Sequence, residues 1–296
     1  MTFTHDEATD RSITLADGRT LGYSEFGAPD GYPVLNNHGG LLCRFDVELA
    51  HDAAVALGAR IISPDRPGVG MSDDKPGRDT LDWADDVEEL LGALEIDELA
   101  NMGWSMGGQY ALAVAHRLAP RVRATAVIAG CPPIDDDATF AELNEMDQKL
   151  TRLSQNHPKA AGAEFAALAK LEHHFPDRMT KLSSKKWAAT DQDTARANSE
   201  WMAAAMVEAM RRSAGMVEEY CAWARPWRFA PAEVTGPVTI WQGTEDTLVP
   251  APWGARLADE IPDATLRRIE GEGHMIAVTR RDEVLQDLLA QARRGP

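Results

Sequence analysis

The sequence predicts an α/β fold: a mostly parallel sheet with helices on both faces, interrupted by an inserted helical cap. Three observations carry that expectation. Short β-like runs alternate with helical runs over the first 133 residues, the pattern of a parallel sheet covered on both sides. From residue 134 to 232 helical spacing continues with almost no strand signal. Strand character then returns over residues 233–296. The expected organisation is a core of residues 1–133 and 233–296, with a cap of residues 134–232 inserted into it.

The elements follow in order. Residues 12–16 and 20–26 flank Asp17-Gly18, a hairpin signal. Strand candidates 33–37 and 59–63 run into the turns His38-Gly39-Gly40 and Pro64-Asp65-Arg66-Pro67-Gly68, and residues 45–57 between them have helical spacing. Residues 80–94 form a second predicted helix, with Asp79 as its N-cap. A short apolar run, 99–102, precedes a helix over 106–118 that Pro120 stops. Residues 123–129 are a further strand candidate. The cap reads as helical runs over 140–153, 160–175 and 193–224. Strands over 237–242 and 265–269 then alternate with helices over 252–260 and 281–293.

Bulk properties exclude several function classes. A net charge of -17 in 296 residues disfavours nucleic acid and anionic membrane surfaces as partners, because both would be repelled. No apolar stretch approaches the roughly 20 residues that span a bilayer. The first residues, Met-Thr-Phe-Thr-His-Asp-Glu, lack a signal-peptide pattern, so cytoplasmic residence is expected. Cys43, Cys131 and Cys221 are far apart and odd in number, which predicts free, mostly buried thiols rather than disulfides or a metal site.

The sharpest local signal is Gly103-Trp104-Ser105-Met106-Gly107-Gly108, where a strand candidate meets a helix. Gly-x-Ser-x-Gly alone is weak evidence, with about 0.06 chance matches expected for ten serines and 23 glycines in this length. Its position adds weight, because a strained strand-to-helix elbow lifts a serine hydroxyl above the sheet edge. Small residues two before and two after the serine let strand and helix approach, and Gly103 and Gly107 meet that need.

A serine hydroxyl needs an adjacent base, itself held by a carboxylate. On such a sheet the partners follow in the order Ser, acid, His, each after a later strand. Asp246 follows the 237–242 strand and His274 follows the 265–269 strand, both on the same side as Ser105. Glu245 and Asp135 are the alternative acids. Asp246 is preferred because it lies further into its loop. His5, His51, His116, His157, His173 and His174 read as surface or packing residues. Backbone donors for an oxyanion are expected from the amides of Met106 and Gly40, with Leu41 as the fallback. His38 is expected to brace that loop rather than move protons.

Together, "HGG" at 38–40, "DRPGVGMSD" at 65–73, "GWSMGG" at 103–108, "GTEDTLVP" at 243–250 and "GEGH" at 271–274 resemble the α/β-hydrolase superfamily. The resemblance spans residues 12–133 and 233–296. It implies that residues 65–72 form a structural loop near the active-site mouth and that the 134–232 insertion caps the pocket. Ser105 separates this chain from epoxide hydrolases and haloalkane dehalogenases, which use Asp as nucleophile. Trp104 before the serine and Met106 after it separate it from proline iminopeptidases, which carry Trp directly after. A Ser-Met-Gly-Gly stretch is similar to that of cofactor-free haloperoxidases and perhydrolases, which leaves such chemistry as a side activity.

In the cap, Met202, Met206 and Met210 recur every four residues, with Trp201, Trp223 and Trp227 near in sequence. Methionine adapts to varied apolar shapes, so Met206 and Met210, with Trp104, are the expected substrate-binding residues; packing of the cap onto the core is the competing role. The expected activity is a serine esterase or lactonase acting through Ser105, His274 and Asp246 on a small to medium apolar ester or lactone. No metal or organic cofactor is implied, and a homodimer is left open. Alternatives are a carbon–carbon bond hydrolase or lyase on the same scaffold, or a ligand receptor with slow turnover.

Overall fold

The computed structural model describes residues 10–294, so His5 lies outside the described residues. Eight strands form one sheet: β1 (Asp10–Thr14), β2 (Thr20–Gly27), β3 (Tyr32–Asn37), β4 (Ala59–Pro64), β5 (Leu99–Trp104), β6 (Val122–Ile128), β7 (Val238–Gly243) and β8 (Ala264–Ile269). Their spatial order is β1-β2-β4-β3-β5-β6-β7-β8. Only β2 runs against its neighbours, pairing antiparallel with β1 and β4. The remaining pairs are parallel. Every residue of β5 and β7 is buried, as continuous apolar strands under two helical layers require.

Helices α1 (His51–Leu57), α2 (Asp82–Ala93) and α3 (Gly107–Arg117) connect the first parallel strands. Seven helices then intervene between β6 and β7: α4 (Asp137–Glu142), α5 (Glu145–Asn156), α6 (Pro158–His174), α7 (Pro176–Ser183), α8 (Ala189–Ala197), α9 (Ser199–Ala209) and α10 (Ser213–Trp223). These make up the inserted helical cap. The chain ends with α11 (Pro252–Glu260), α12 (Ile276–Thr279) and α13 (Arg281–Ala292). Helix α2 packs with α3 and α1 with α13, and both α3 and α13 lie against β5 and β6, so the sheet is covered on both faces. Among the described residues no helix is long and apolar enough to cross a membrane.

The alternation of elements follows the expectation, and three boundaries are corrected. The helix expected over 45–57 begins only at His51, because the preceding turn carries the Asp46 carboxylate back to the Gly39 amide (2.9 Å) and the Asn36 side chain (2.6 Å). The run expected over 140–153 is two helices. Asn144 adopts an extended backbone and accepts from the Asp147 amide, which starts a new helix instead of continuing the old one. The single run expected over 193–224 is three helices, broken after Ala197 and Ala209. The second break turns the chain so that Gly215 meets Gly68, where a Cβ on Gly215 would strike the Gly68 carbonyl.

Candidate active site

The strand-to-helix junction after β5 is strained, as an elbow demands. Ser105 sits at φ 55°, a left-handed conformation that a non-glycine residue adopts only at a cost of order 1–3 kcal/mol. Close packing holds it there. A Cβ on Gly103 would collide with the Gly107 carbonyl, and one on Gly107 with the Asn37 carbonyl. The Ser105 amide donates to the Ile128 carbonyl at 2.8 Å, tying the turn to β6.

Asp246 and His274 meet as the loop positions foretell. Asp246 Oδ2 accepts from His274 Nδ1 at 2.9 Å, and both residues are buried. The other oxygen of Asp246 accepts the amides of Leu248 and Val249, each at 2.9 Å. Glu245 and Asp135 are exposed. Burial pulls the His274 pKa down, but the charges of Asp246, Asp191 and Asp147 outweigh it and raise the value above 6.5. Ser105 and His274 line one cavity of about 150 Å³. Among the described residues no hydrogen bond joins them, and in unliganded enzymes such contacts are often loose until substrate binds.

Gly40, Leu41 and Met106 border the same cavity. Among the described residues their amides donate to no protein acceptor, which leaves them available to a developing oxyanion. Leu41 also has a left-handed backbone, φ 57°, so Gly40 and Leu41 stand equally open as the second donor. His38 braces this loop: its Nδ1 lies 2.9 Å from the Gly39 carbonyl and its Nε2 accepts from the Arg66 amide at 3.1 Å. Burial, with the nearby Arg66 charge, drives its pKa well below 6.5, so it stays neutral.

The substrate-binding expectations divide. Trp104 lines the cavity, and its partner lies in the core: Nε1 donates to the His274 carbonyl at 2.9 Å. Met206 lines the cavity together with Met202, whereas Met210 does not and is buried in packing. The four-residue spacing is real, but Met210 sits at the C-cap of α9, its amide still bonded to the Met206 carbonyl (3.0 Å), and its side chain packs into the core. Trp223 also borders the cavity; Trp201 and Trp227 are buried away from it.

Two features of the cap were not legible in the motifs. Asp191 on α8 is 1% exposed and accepts both the His274 amide (2.7 Å) and the Met275 amide (2.8 Å). Glu219 on α10, also 1% exposed, accepts from Arg66 Nε at 2.6 Å and from Arg78. Burial alone would raise the Glu219 pKa, but the two guanidiniums hold it at about 2. Arg66 in turn donates to the His38 carbonyl at 2.6 Å. One cap helix therefore holds the loop carrying His274, and another is tied to the loop carrying Gly40. Both partners lie more than 80 residues from what they hold, beyond the reach of a local pattern.

Comparison with known proteins agrees with this architecture. Residues 32–280 match the family described as alpha/beta hydrolase fold. A non-heme chloroperoxidase from Streptomyces lividans is 26% identical over 94% of this chain and 98% of its own. Among solved structures, the esterase EaEST from Exiguobacterium antarcticum superposes with a TM-score of 0.70 at 20% identity, covering 95% of this chain and 98% of that one. The enol-lactonase from Burkholderia xenovorans LB400 gives 0.71 at 16% identity, covering 95% and 100%. A parallel sheet with a glycine-packed elbow, a capped pocket and a family match over most of its length leads to one assignment: the chain belongs to the alpha/beta hydrolase fold family.

Proposed function

We propose that the protein is a serine hydrolase cleaving a carboxylic ester or lactone with a small to medium apolar body. The observation that carries this is the Asp246–His274 hydrogen bond of 2.9 Å beside a strained Ser105 in one apolar cavity. In this reading Ser105 Oγ attacks the acyl carbon while His274 Nε2 takes its proton. His274 then protonates the leaving alkoxide, and later draws a proton from the water that releases the acyl group. Asp246 fixes the tautomer and stabilises the imidazolium. The amides of Met106 and of Gly40 or Leu41 bind the oxyanion, and residues 134–232 act as the cap over the pocket.

The test is a fluorophosphonate probe with a panel of p-nitrophenyl esters, run on the wild type and on Ser105→Ala. Labelling and turnover are expected in the wild type and absent in the variant. A folded wild type that neither labels nor hydrolyses any ester overturns the proposal. A second reading rests on the 26% identity to a chloroperoxidase over nearly the full length. Hydrogen peroxide in place of water at the acyl-enzyme gives a peracid and free Ser105, and the peracid oxidises halide. Bromination that needs both peroxide and a carboxylate, and is lost in Ser105→Ala, is the expected signature.

A further inference from the structure

Four carboxylates that the cap sends inward have partners, Glu208 among them through the buried Arg44 at 2.8 Å. Glu219 is held by two arginines and Asp191 by two amides. Asp147 accepts from Asn144 Nδ2 at 2.7 Å and from the Tyr220 hydroxyl at 3.1 Å. Glu172 differs. It is 2% exposed and lines the cavity of Ser105 and His274, yet its Oε2 has no hydrogen-bond partner. Trp223 lines the same cavity, and its Nε1–H is buried without an acceptor. Among the described residues no lysine or arginine lines this space.

The two groups belong to neighbouring helices. Gly162 of α6 lies against Val217 of α10, and the Phe165 ring packs tilted against Tyr220, centroids 5.5 Å apart. On that register Trp223 comes opposite Leu168, and Glu172 stands about one turn further along α6, with Glu172 and Trp223 both lining the one cavity. A buried donor or acceptor left unpaired is destabilising, whereas leucine or phenylalanine would fill either place without that cost. Burial pushes Glu172 up to about 7, so near neutral pH it is present in both protonation states. A hydroxyl suits both, since it donates to the carboxylate or accepts from the acid while also accepting from the indole N–H. An ammonium would satisfy the carboxylate alone and leave the indole unpaired.

We propose that Glu172 and Trp223 form a polar subsite for a hydroxyl group on the substrate's apolar body, away from the scissile carbonyl. This assignment of substrate class rests on the hydrolase reading, so its test is made without turnover. Binding to the Ser105→Ala protein is measured calorimetrically for methyl esters of butyric to octanoic chain length. Each is compared with its terminal hydroxy and terminal amino analogue. At the best length the hydroxy ester is expected to bind at least about tenfold tighter than the plain ester. That advantage is expected to fall to within about threefold when Glu172→Leu or Trp223→Phe is added.

Thermal unfolding checks that each protein is folded, and Glu172→Leu is expected to melt no lower than its parent. No hydroxyl preference at any length, a preference that survives both added substitutions, or a stronger preference for the amino ester overturns the proposal. An ester-inactive wild type that still shows the binding preference sinks the hydrolase reading alone.

Discussion

The sheet side and the cap side of the cavity are built by different physics. On the sheet side, the proposed catalytic groups are placed by backbone geometry within a few residues: Ser105 by a left-handed turn between glycines, and Asp246 and His274 by loops leaving adjacent strands. On the cap side, placement is made by charge. Glu219 and Asp191 reach from α10 and α8 to loops of the core, and neither works through its neighbours in sequence. The comparison teaches that the core supplies the proposed catalytic groups while the cap holds two of the loops that carry them.

The largest expected effect breaks the sheet side. Asp246→Asn should lower kcat/KM by about 10⁴-fold, because the asparagine favours the wrong imidazole tautomer. The wild-type profile should rise with pH through an inflection above 6.5, since the proposed mechanism needs neutral His274 as its base and the pKa of that histidine is raised. In the variant the inflection should move to lower pH, and an unmoved inflection in a pH–rate series would separate Asp246 from His274.

Next in size is the cap's ion cluster. Glu219→Gln leaves Arg66 and Arg78 buried without their counter-charge and should cost about 3–5 kcal/mol, read by urea unfolding at neutral pH. The sign with pH follows from the lowered pKa. Glu219 contributes stability that is fully present above its ordinary 4.5 and lost as pH falls toward about 2. The variant should lack that loss across the same window.

Two methionines of α9 and its end sharpen the comparison within the cap. Met210→Ala should cost about 2–5 kcal/mol of stability with the order of ester chain-length preference kept. Met206→Ala, on the cavity wall, should change that order with a smaller loss of stability. Ester kinetics and thermal unfolding on both variants decide it. The smallest effect expected is that of Asp191→Asn, whose amide oxygen can serve only one of the two amides now held and whose NH₂ faces the other. A stability loss of about 1–3 kcal/mol and about a tenfold fall in kcat, with KM little moved, should accompany looser seating of His274.

How much could be read in advance tracks this division. The strand and helix alternation, the elbow at Ser105 and the loop positions of Asp246 and His274 were legible because each follows from a periodicity or a turn of a few residues. The breaks at Asn144 and after Ala209 were not, since one needed a side-chain cap to win over helix propagation and the other a close contact with Gly68. Met210 was assigned to the cavity because spacing gives a helix face, but only tertiary packing says which residues of that face meet the core and which the cavity. Glu172 gave no sequence signal at all, as a glutamate in an amphipathic helix reads as solvent-exposed until the neighbouring helices are seen.

Arg66 has a consequence for traffic into the pocket. Its guanidinium touches the cap at Glu219 and the loop before Gly40 at the same time, so lifting α10 would strand a buried charge and loosen that loop together. Along the α8 edge the cap is held by two carboxylate–amide bonds and by the Thr190 hydroxyl donating to the Gly271 carbonyl at 3.4 Å, which water can replace more readily. On the proposed reading substrate has a cheap side and a costly side by which to arrive, and a disulfide that staples α8 to the core should slow ligand uptake far more than one that staples α10.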